Sequence, residues 1–324
     1  MIGRRFHAVR ESGPGPKLAA IFARYWPGYR AFWAREGVDA RPSRAECAAA
    51  LRRHMPELVP VWRALVEAVD GGDEQARFLS LWCPPDFRHG CTQAIWARRP
   101  YAILRNYDYP PTMFDAVLLR AGLTGSDTLA MADCVWGVLD GLNRAGLALS
   151  LAFGGRDASG PGFGITLVLR YLLETCADVD EALAALRRIP VHLCYNIALL
   201  DRSGNHATVE VSPDRGVELR AGTISANRQG GSSWPDSVYL HDTVRREALL
   251  AAAMSNPAET ADTMLGHFLA RPIHRPLGAD GWGTLYTACW LPESGGLRLS
   301  WPGRPAWRQE LDRFTEEVRE VIYA

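Results

Sequence analysis

The chain has 324 residues, 48% of them hydrophobic, enough for one large core or two domains. Lys+Arg and Asp+Glu balance at 36 each, which excludes the basic footprint of a nucleic-acid or acidic-membrane binder. No stretch approaches the ~20 apolar residues of a membrane helix, and the opening "MIGRRFHAVRESGPGPK" lacks the apolar centre of a secretory signal.

Residues 16–83 read as helical. "SRAECAAALRRHM" begins with Ser43 and Glu46 in capping-box spacing, and "DEQARFLSLW" opens with acids before apolar residues at helical spacing. Pro42, Pro56, Pro60, Pro84 and Pro85 punctuate this part. The character then changes to strand. "CTQAIWA" and "YAILRNYDY" are short runs parted by the turn-like "RRP", and "GLALSLAF" is a further apolar run. "GGRDASGPGFG", residues 154–164, reads as a flexible loop, with pocket lining the weaker alternative. "FGITLVLRYLLETC" is apolar nearly all round and should be buried, whereas "DVDEALAALRRI" is amphipathic. "NIALLDRSGNHATVEVSP" is a hairpin around Ser203-Gly204-Asn205, and "GVELRAGTISAN" continues as strand. Residues 241–270 read as two helices, and "GTLYTACWL" and "GLRLSW" close as strands. Consecutive strands with helices in pairs between them point to antiparallel sheets covered by helices, an α+β fold. No GxGxxG follows a strand and no GxxxxGK[ST] occurs, which excludes dinucleotide and P-loop chemistry.

The seven cysteines are odd in number, scattered and without a CxxC pair. That argues against a disulfide framework or a zinc ribbon and for a reduced, cytoplasmic protein with no metal and no cofactor. Cys91 stands apart from the other six. Gly90 places the least hindered acyl group beside its thiol, and it sits where helical sequence gives way to strand. If the two strands that follow pair as a hairpin, the start of the first faces the end of the second, bringing Arg105 and Asp108 of "RNYD" near Cys91. A cation beside a thiol favours the thiolate, the reactive form. Taken singly, Cys91 reads as a small buried hydrophobe and Arg105 and Asp108 as a local salt bridge; the combination shifts the reading towards chemistry.

"GCTQAIW…AILRNYDY" resembles the start of the catalytic chain of the cysteine N-terminal-nucleophile hydrolases, in particular the acyl-CoA:isopenicillin N acyltransferases, the choloylglycine hydrolases and the penicillin V acylases. The likeness continues in "VLDGLNRAGLALSLAFGG", "YNIALLDRSGNHATVEVSP" and "TISANR", in family order. It implies a four-layer αββα sandwich. It also implies self-cleavage between Gly90 and Cys91, with a helical first fragment, residues 1–90, that stays associated with a catalytic second fragment, residues 91–324. The new α-amino group, with a reference pKa of about 7.7–8.0, would serve as general base for its own thiol. Carried over by position, Cys91 is the nucleophile, Arg105 lies by the sulfur, Asp108 binds the α-amino group and Asn227 of "SANR" points at the oxyanion. Arg245 of "TVRRE" is the nearest match to a further arginine. The implied substrate is a small N-acyl amide or an acyl-CoA, hydrolysed or transferred through a thioester on Cys91.

The chain departs from the family in places. Ala152 stands where bile salt hydrolases carry a second oxyanion asparagine, and Arg144 replaces an acid of the "GMNE" segment. Two rivals follow: an inactive scaffold or binding protein, and a cysteine hydrolase with a separate histidine base and no self-cleavage. Lesser constellations read as structural. His192 and Cys194 form a core pair without further metal ligands. His241-Asp242 reads as a helix start with Asp242 as cap, and not as a dyad. Trp282, Tyr286, Trp290 and Trp301 read as packing.

Overall fold

The computed structural model describes residues 2–87, 90–230, 241–279 and 281–323, leaving aside the side chain of His241. Its first element is a strand that no pattern in the sequence announces. Strand β1 (Ile2–Glu11) runs antiparallel to β15 (Val318–Tyr323) and parallel to β4 (Val117–Ala121). Only Phe6 and Ala8 of β1 are buried, so its alternation is weak against a background of Arg4, Arg5 and Arg10. Four helices follow: α1 (Pro16–Trp33), α2 (Arg44–His54), α3 (Leu58–Ala68) and α4 (Asp73–Leu79). The capping box that starts α2 is present, with the Glu46 amide donating to Ser43 Oγ at 3.3 Å and the Ser43 amide to Glu46 Oε2 at 2.7 Å.

The nine-stranded sheet is completed by β5 (Thr128–Asp133), β6 (Gly137–Asn143), β7 (Ala148–Phe153), β8 (Tyr195–Leu200), β9 (His206–Ser212) and β10 (Gly216–Arg220), in the order β10-β9-β8-β7-β6-β5-β4-β1-β15. The six-stranded sheet holds β2 (Gly90–Trp96), β3 (Ala102–Tyr109), β11 (Ile224–Ser225), β12 (Gly283–Leu291), β13 (Gly296–Ser300) and β14 (Trp307–Glu310), in the order β11-β2-β3-β12-β13-β14. The helices α5 (Ile165–Thr175) and α6 (Val179–Leu186) join α1–α4 on one face of the large sheet. Residues 165–174 of α5 are all buried, as its apolar pattern demands. The helices α7 (His241–Ser255) and α8 (Ala261–Phe268) cover the outer face of the small sheet.

Three apolar clusters therefore separate four layers. One lies under the six helices, one between the sheets and one under α7 and α8. This is the αββα sandwich. Among the described residues no helix is long and apolar enough to cross a membrane.

Candidate active site

Strands β2 and β3 pair antiparallel with Gly90 opposite Asp108, Cys91 opposite Tyr107 and Gln93 opposite Arg105. Strand alternation sends Cys91, Arg105 and Tyr107 into the space between the sheets, and Thr92 and Asp108 to the outer face under α7. The hairpin thus brings Arg105 and Asp108 to Cys91 from opposite sides of one sheet.

The Cys91 side chain is fully buried. Arg105 Nη2 donates to its Sγ at 3.1 Å. That guanidinium is held on its remaining edges. Its Nε donates to the Leu151 carbonyl at 2.9 Å, and Nη1 donates to Tyr286 Oη at 2.8 Å and forms an ion pair with Asp140. Asp140 in turn accepts from Tyr286 Oη at 2.6 Å and Trp290 Nε1 at 2.8 Å. A buried arginine is tolerable only when paired in this way. Asp140, Tyr286 and Trp290 were not singled out as site residues in the sequence. Tyr286 and Trp290 do pack in the core, and they also fix the carboxylate that fixes Arg105. In the continuous chain burial pushes the Cys91 thiol up to about 11. Arg105 pulls it down, and Asp108 and Asp140 push it up.

The backbone of Cys91 is gripped as well. Its amide N–H donates to Asn227 Oδ1 at 2.9 Å, while Asn227 Nδ2 donates to the Phe153 carbonyl at 3.1 Å. Asn227 follows β11 on a segment clamped from several directions. Asn196 Nδ2 donates to the carbonyls of Ala226 and Arg228 at 2.7 and 2.9 Å, and Glu247 accepts from the Ala226 amide at 2.9 Å and Arg228 Nε at 2.7 Å. Residues 154–155 of the glycine-rich stretch back this segment. A Cβ on Gly155, at φ +69°, would stand 2.2 Å from the Asn227 carbonyl oxygen. Gln93, buried beside Cys91 on β2, bonds Asn196, Ser225 and Ser150 and ties the two sheets together.

On the outer face, Asp108 accepts from Thr284 Oγ1 at 2.7 Å and Arg246 Nη1 at 3.2 Å, and Arg246 Nη1 also reaches Thr92 Oγ1 at 2.6 Å. Arg245 is exposed on α7, and the structure does not bring it to the site; its neighbour Arg246, only 4% exposed, reaches Asp108 instead. The helical stripe Thr243, Arg246, Glu247, Leu250 is the buried face of α7, and periodicity drawn through Leu250 would have selected 246. Ala152 is buried on the inner face of β7 opposite Asn196. Arg144 lies at the surface, paired with Asp127 and Asp312. His192 bonds the Gly160 carbonyl and Asp86, and Cys194 donates to the Arg156 carbonyl. Among the described residues no group of three or more His, Cys, Asp or Glu could hold a metal. The His241 half of the His241-Asp242 pair lies outside the described side chains.

An apolar cavity of about 170 Å³ opens beyond Tyr107, lined by Tyr29, Phe32, Phe78, Tyr109, Met113 and Phe114. Tyr107 touches Tyr109 and Phe114, with ring centroids 5.6 and 5.4 Å apart. At the cavity wall Tyr29 Oη donates to Asp115 Oδ1 at 2.7 Å and lies 3.1 Å from Asp133 Oδ1. Burial pushes Asp115 up to about 6, and burial together with Asp115 holds Asp133 well above the usual carboxylate range.

The sequence profile of the acyl-coenzyme A:6-aminopenicillanic acid acyl-transferase family matches residues 97–304, almost two thirds of the chain. The chain belongs to this family. The match begins just after Cys91 and spans Arg105, Asp108, Asp140, Asn227 and Arg246. Among solved structures, a mutant of the conjugated bile acid hydrolase of Clostridium perfringens aligns at 14% identity with a TM-score of 0.51, covering 72% of this chain and 97% of that one. At that identity it shows a shared fold. The penicillin V acylase of Agrobacterium tumefaciens aligns at 15% identity over 71% of this chain and 90% of its own, TM-score 0.48. The N-acylethanolamine-hydrolyzing acid amidase ortholog of Caenorhabditis elegans aligns at 13% over 72% and 100%, TM-score 0.45. Comparison with curated proteins finds no match. Membership of this acyl-transferase family makes the chain an enzyme of acyl-transfer chemistry.

Proposed function

We propose that this enzyme cuts itself between Gly90 and Cys91 and then uses Cys91 as the nucleophile of an N-acyl amide hydrolase or acyltransferase. The observation that carries the reading is the double grip on Cys91: Arg105 on the sulfur and Asn227 on the amide nitrogen that the cut would free. In the first stage Sγ attacks the Gly90 carbonyl carbon. The C–N bond breaks as the thioester forms, and the thiol proton ends on the departing nitrogen. Water then hydrolyses the thioester to a Gly90 carboxylate and a free Cys91 α-amino group. That amine stays within reach of Asn227 Oδ1, with Asp108 across the strand pair from Gly90. In the second stage the amine takes the thiol proton, the thiolate attacks the substrate carbonyl, and the amine returns the proton to the leaving nitrogen. Donation to the oxyanion by Asn227 requires its Nδ2 to turn from the Phe153 carbonyl once the cut has been made.

Both fragments stay together in this account. Strand β1 is bonded between β4 and β15, and α1–α4 share the core under the large sheet. The apolar cavity beyond Tyr107 takes the acyl group. Its volume of about 170 Å³ suits one benzene-sized ring, for which a cavity of ~150 Å³ suffices. The unbridged thiols of Cys47, Cys83, Cys134, Cys176, Cys194 and Cys289 fit a reducing compartment, the cytoplasm. Denaturing mass spectrometry of the wild type beside Cys91→Ala tests the cut. Two fragments meeting at Gly90/Cys91, absent in the variant, support the reading. One uncut mass in both would leave the scaffold and histidine-base readings. Turnover with and without an amine acceptor then separates transfer from hydrolysis.

A further inference from the structure

The outer face of the Gly90–Asp108 pair opens into a second cavity, of about 300 Å³ and of different chemistry. Gly90 itself lines it, with Arg246, Arg271, His274 and Arg275. Two carboxylates, Asp108 and Asp242, lie in the same wall. Asp108 is committed to Thr284 and Arg246, and Asp242 is exposed. Arg246 is only 4% exposed, yet its Nε has no hydrogen-bond partner among the described residues, a costly state for a buried guanidinium N–H. Arg271 forms no ion pair among the described residues. His274 is held below its usual value by burial, with Asp108 pulling it up and Arg271 pushing it down.

We infer that this cavity is a carboxylate-binding site, with Arg246 and Arg271 as its donors. A guanidinium fork with an open N–H matches a carboxylate edge. Two sources could supply the acid. The first is the chain itself, since the proposed cut creates a Gly90 carboxylate on a residue that lines the cavity. Left on the strand, that new charge would face Asp108 across the pair, with only 3.0 Å between a Cβ position on Gly90 and Asp108 Cβ. Turning towards Arg271 relieves the repulsion. The second source is an acid group borne by a diffusible substrate or product. The choice of source rests on the proposed cut; the existence of the site does not.

N-acetylglycine serves as probe, titrated into the uncut Cys91→Ala chain and followed by NMR of the histidine rings, with His274→Gln identifying the His274 signal. The expected result is a saturable shift of that signal. The neutral N-acetylglycinamide gives none, and the exposed Arg271→Gln weakens the probe at least fivefold. The same titration on the wild type, checked by intact mass, separates the sources. Loss of probe binding in the cut protein assigns the site to the Gly90 carboxylate, and retained binding assigns it to a diffusible acid. An intact wild-type mass would overturn the cut without touching the Cys91→Ala result. No saturable shift in the uncut chain, equal binding of the amide, or indifference to Arg271→Gln would overturn the site.

Discussion

Replacing Asp140 by asparagine should move stability and thiol acidity in opposite directions. The substitution keeps the acceptor for Trp290 or Tyr286 but leaves the fully buried Arg105 without its counter-ion. Breaking one side of a buried pair costs about 3–5 kcal/mol. For 324 residues the unfolding entropy is roughly 0.7 kcal/mol/K, so the melting temperature should fall by ~4–7 °C. The Cys91 thiol, by contrast, loses an anion that raises it while Arg105 still donates to Sγ. The carboxylate and sulfur are separated by two hydrogen bonds and a guanidinium, roughly 7 Å. At an effective dielectric of about 20 that is ~2 kcal/mol, or ~1–2 pKa units. The assay is the pH profile of Cys91 alkylation, read by mass on its own peptide, beside thermal unfolding. The midpoint should fall in Asp140→Asn whether or not the chain has been cut, because the comparison is between two proteins in the same state. An unchanged or raised midpoint with lowered stability would refute the claim that Asp140 governs the charge Arg105 presents to the sulfur.

Arg246→Gln should slow self-cleavage at least tenfold and cost ~3 kcal/mol, since it leaves Asp108 buried with Thr284 alone. Arg245→Gln should match the wild type within twofold in a fragment-formation time course. The Asp115–Asp133 pair should make the fold more stable on mild acidification. Both folded pKa values are raised, so protons bind the folded state more tightly; stability falls as pH rises from about 4, and the Asp115 share, ~2 kcal/mol or more, is gone once pH passes about 6. Unfolding at pH 4.5 and 7.0 should show this, and Asp115→Asn should flatten it. A benzene-sized acyl group should be favoured in kcat/KM over a long alkyl chain by at least tenfold. Phe114→Ala, which enlarges the cavity wall, should narrow that gap.

Much of the site could be read from the sequence because it is local in sequence. Gly90, Cys91, Arg105 and Asp108 lie on one hairpin, and a hairpin's register follows from strand alternation alone. The helices of residues 16–83 and the hairpin at Gly204 were legible for the same reason, through capping and turn chemistry. What stayed hidden depends on distant partners. Strand β1 buries only two side chains, and its place is set by β4 and β15, which lie more than a hundred residues away. Asp140 reads as an ordinary strand residue until the sheets stack and deliver Arg105, Tyr286 and Trp290 to it. Arg246 was missed by one position, because the match to "TVRRE" was made by likeness and not by the buried stripe of α7. Likeness pointed to Asn227, and the structure places it against Cys91, but the sequence could not tell that its oxygen faces the amide of Cys91 while its nitrogen is turned to Phe153.

The most direct measurement of the central claim is an acid-quenched denaturing mass spectrum taken seconds after mixing the wild-type protein with the 4-nitroanilide of phenylacetic acid. The account predicts two fragments meeting at Gly90/Cys91, with the phenylacetyl mass on the fragment that begins at Cys91. An uncut chain, or acyl mass carried by residues 1–90 or by another cysteine, would contradict it.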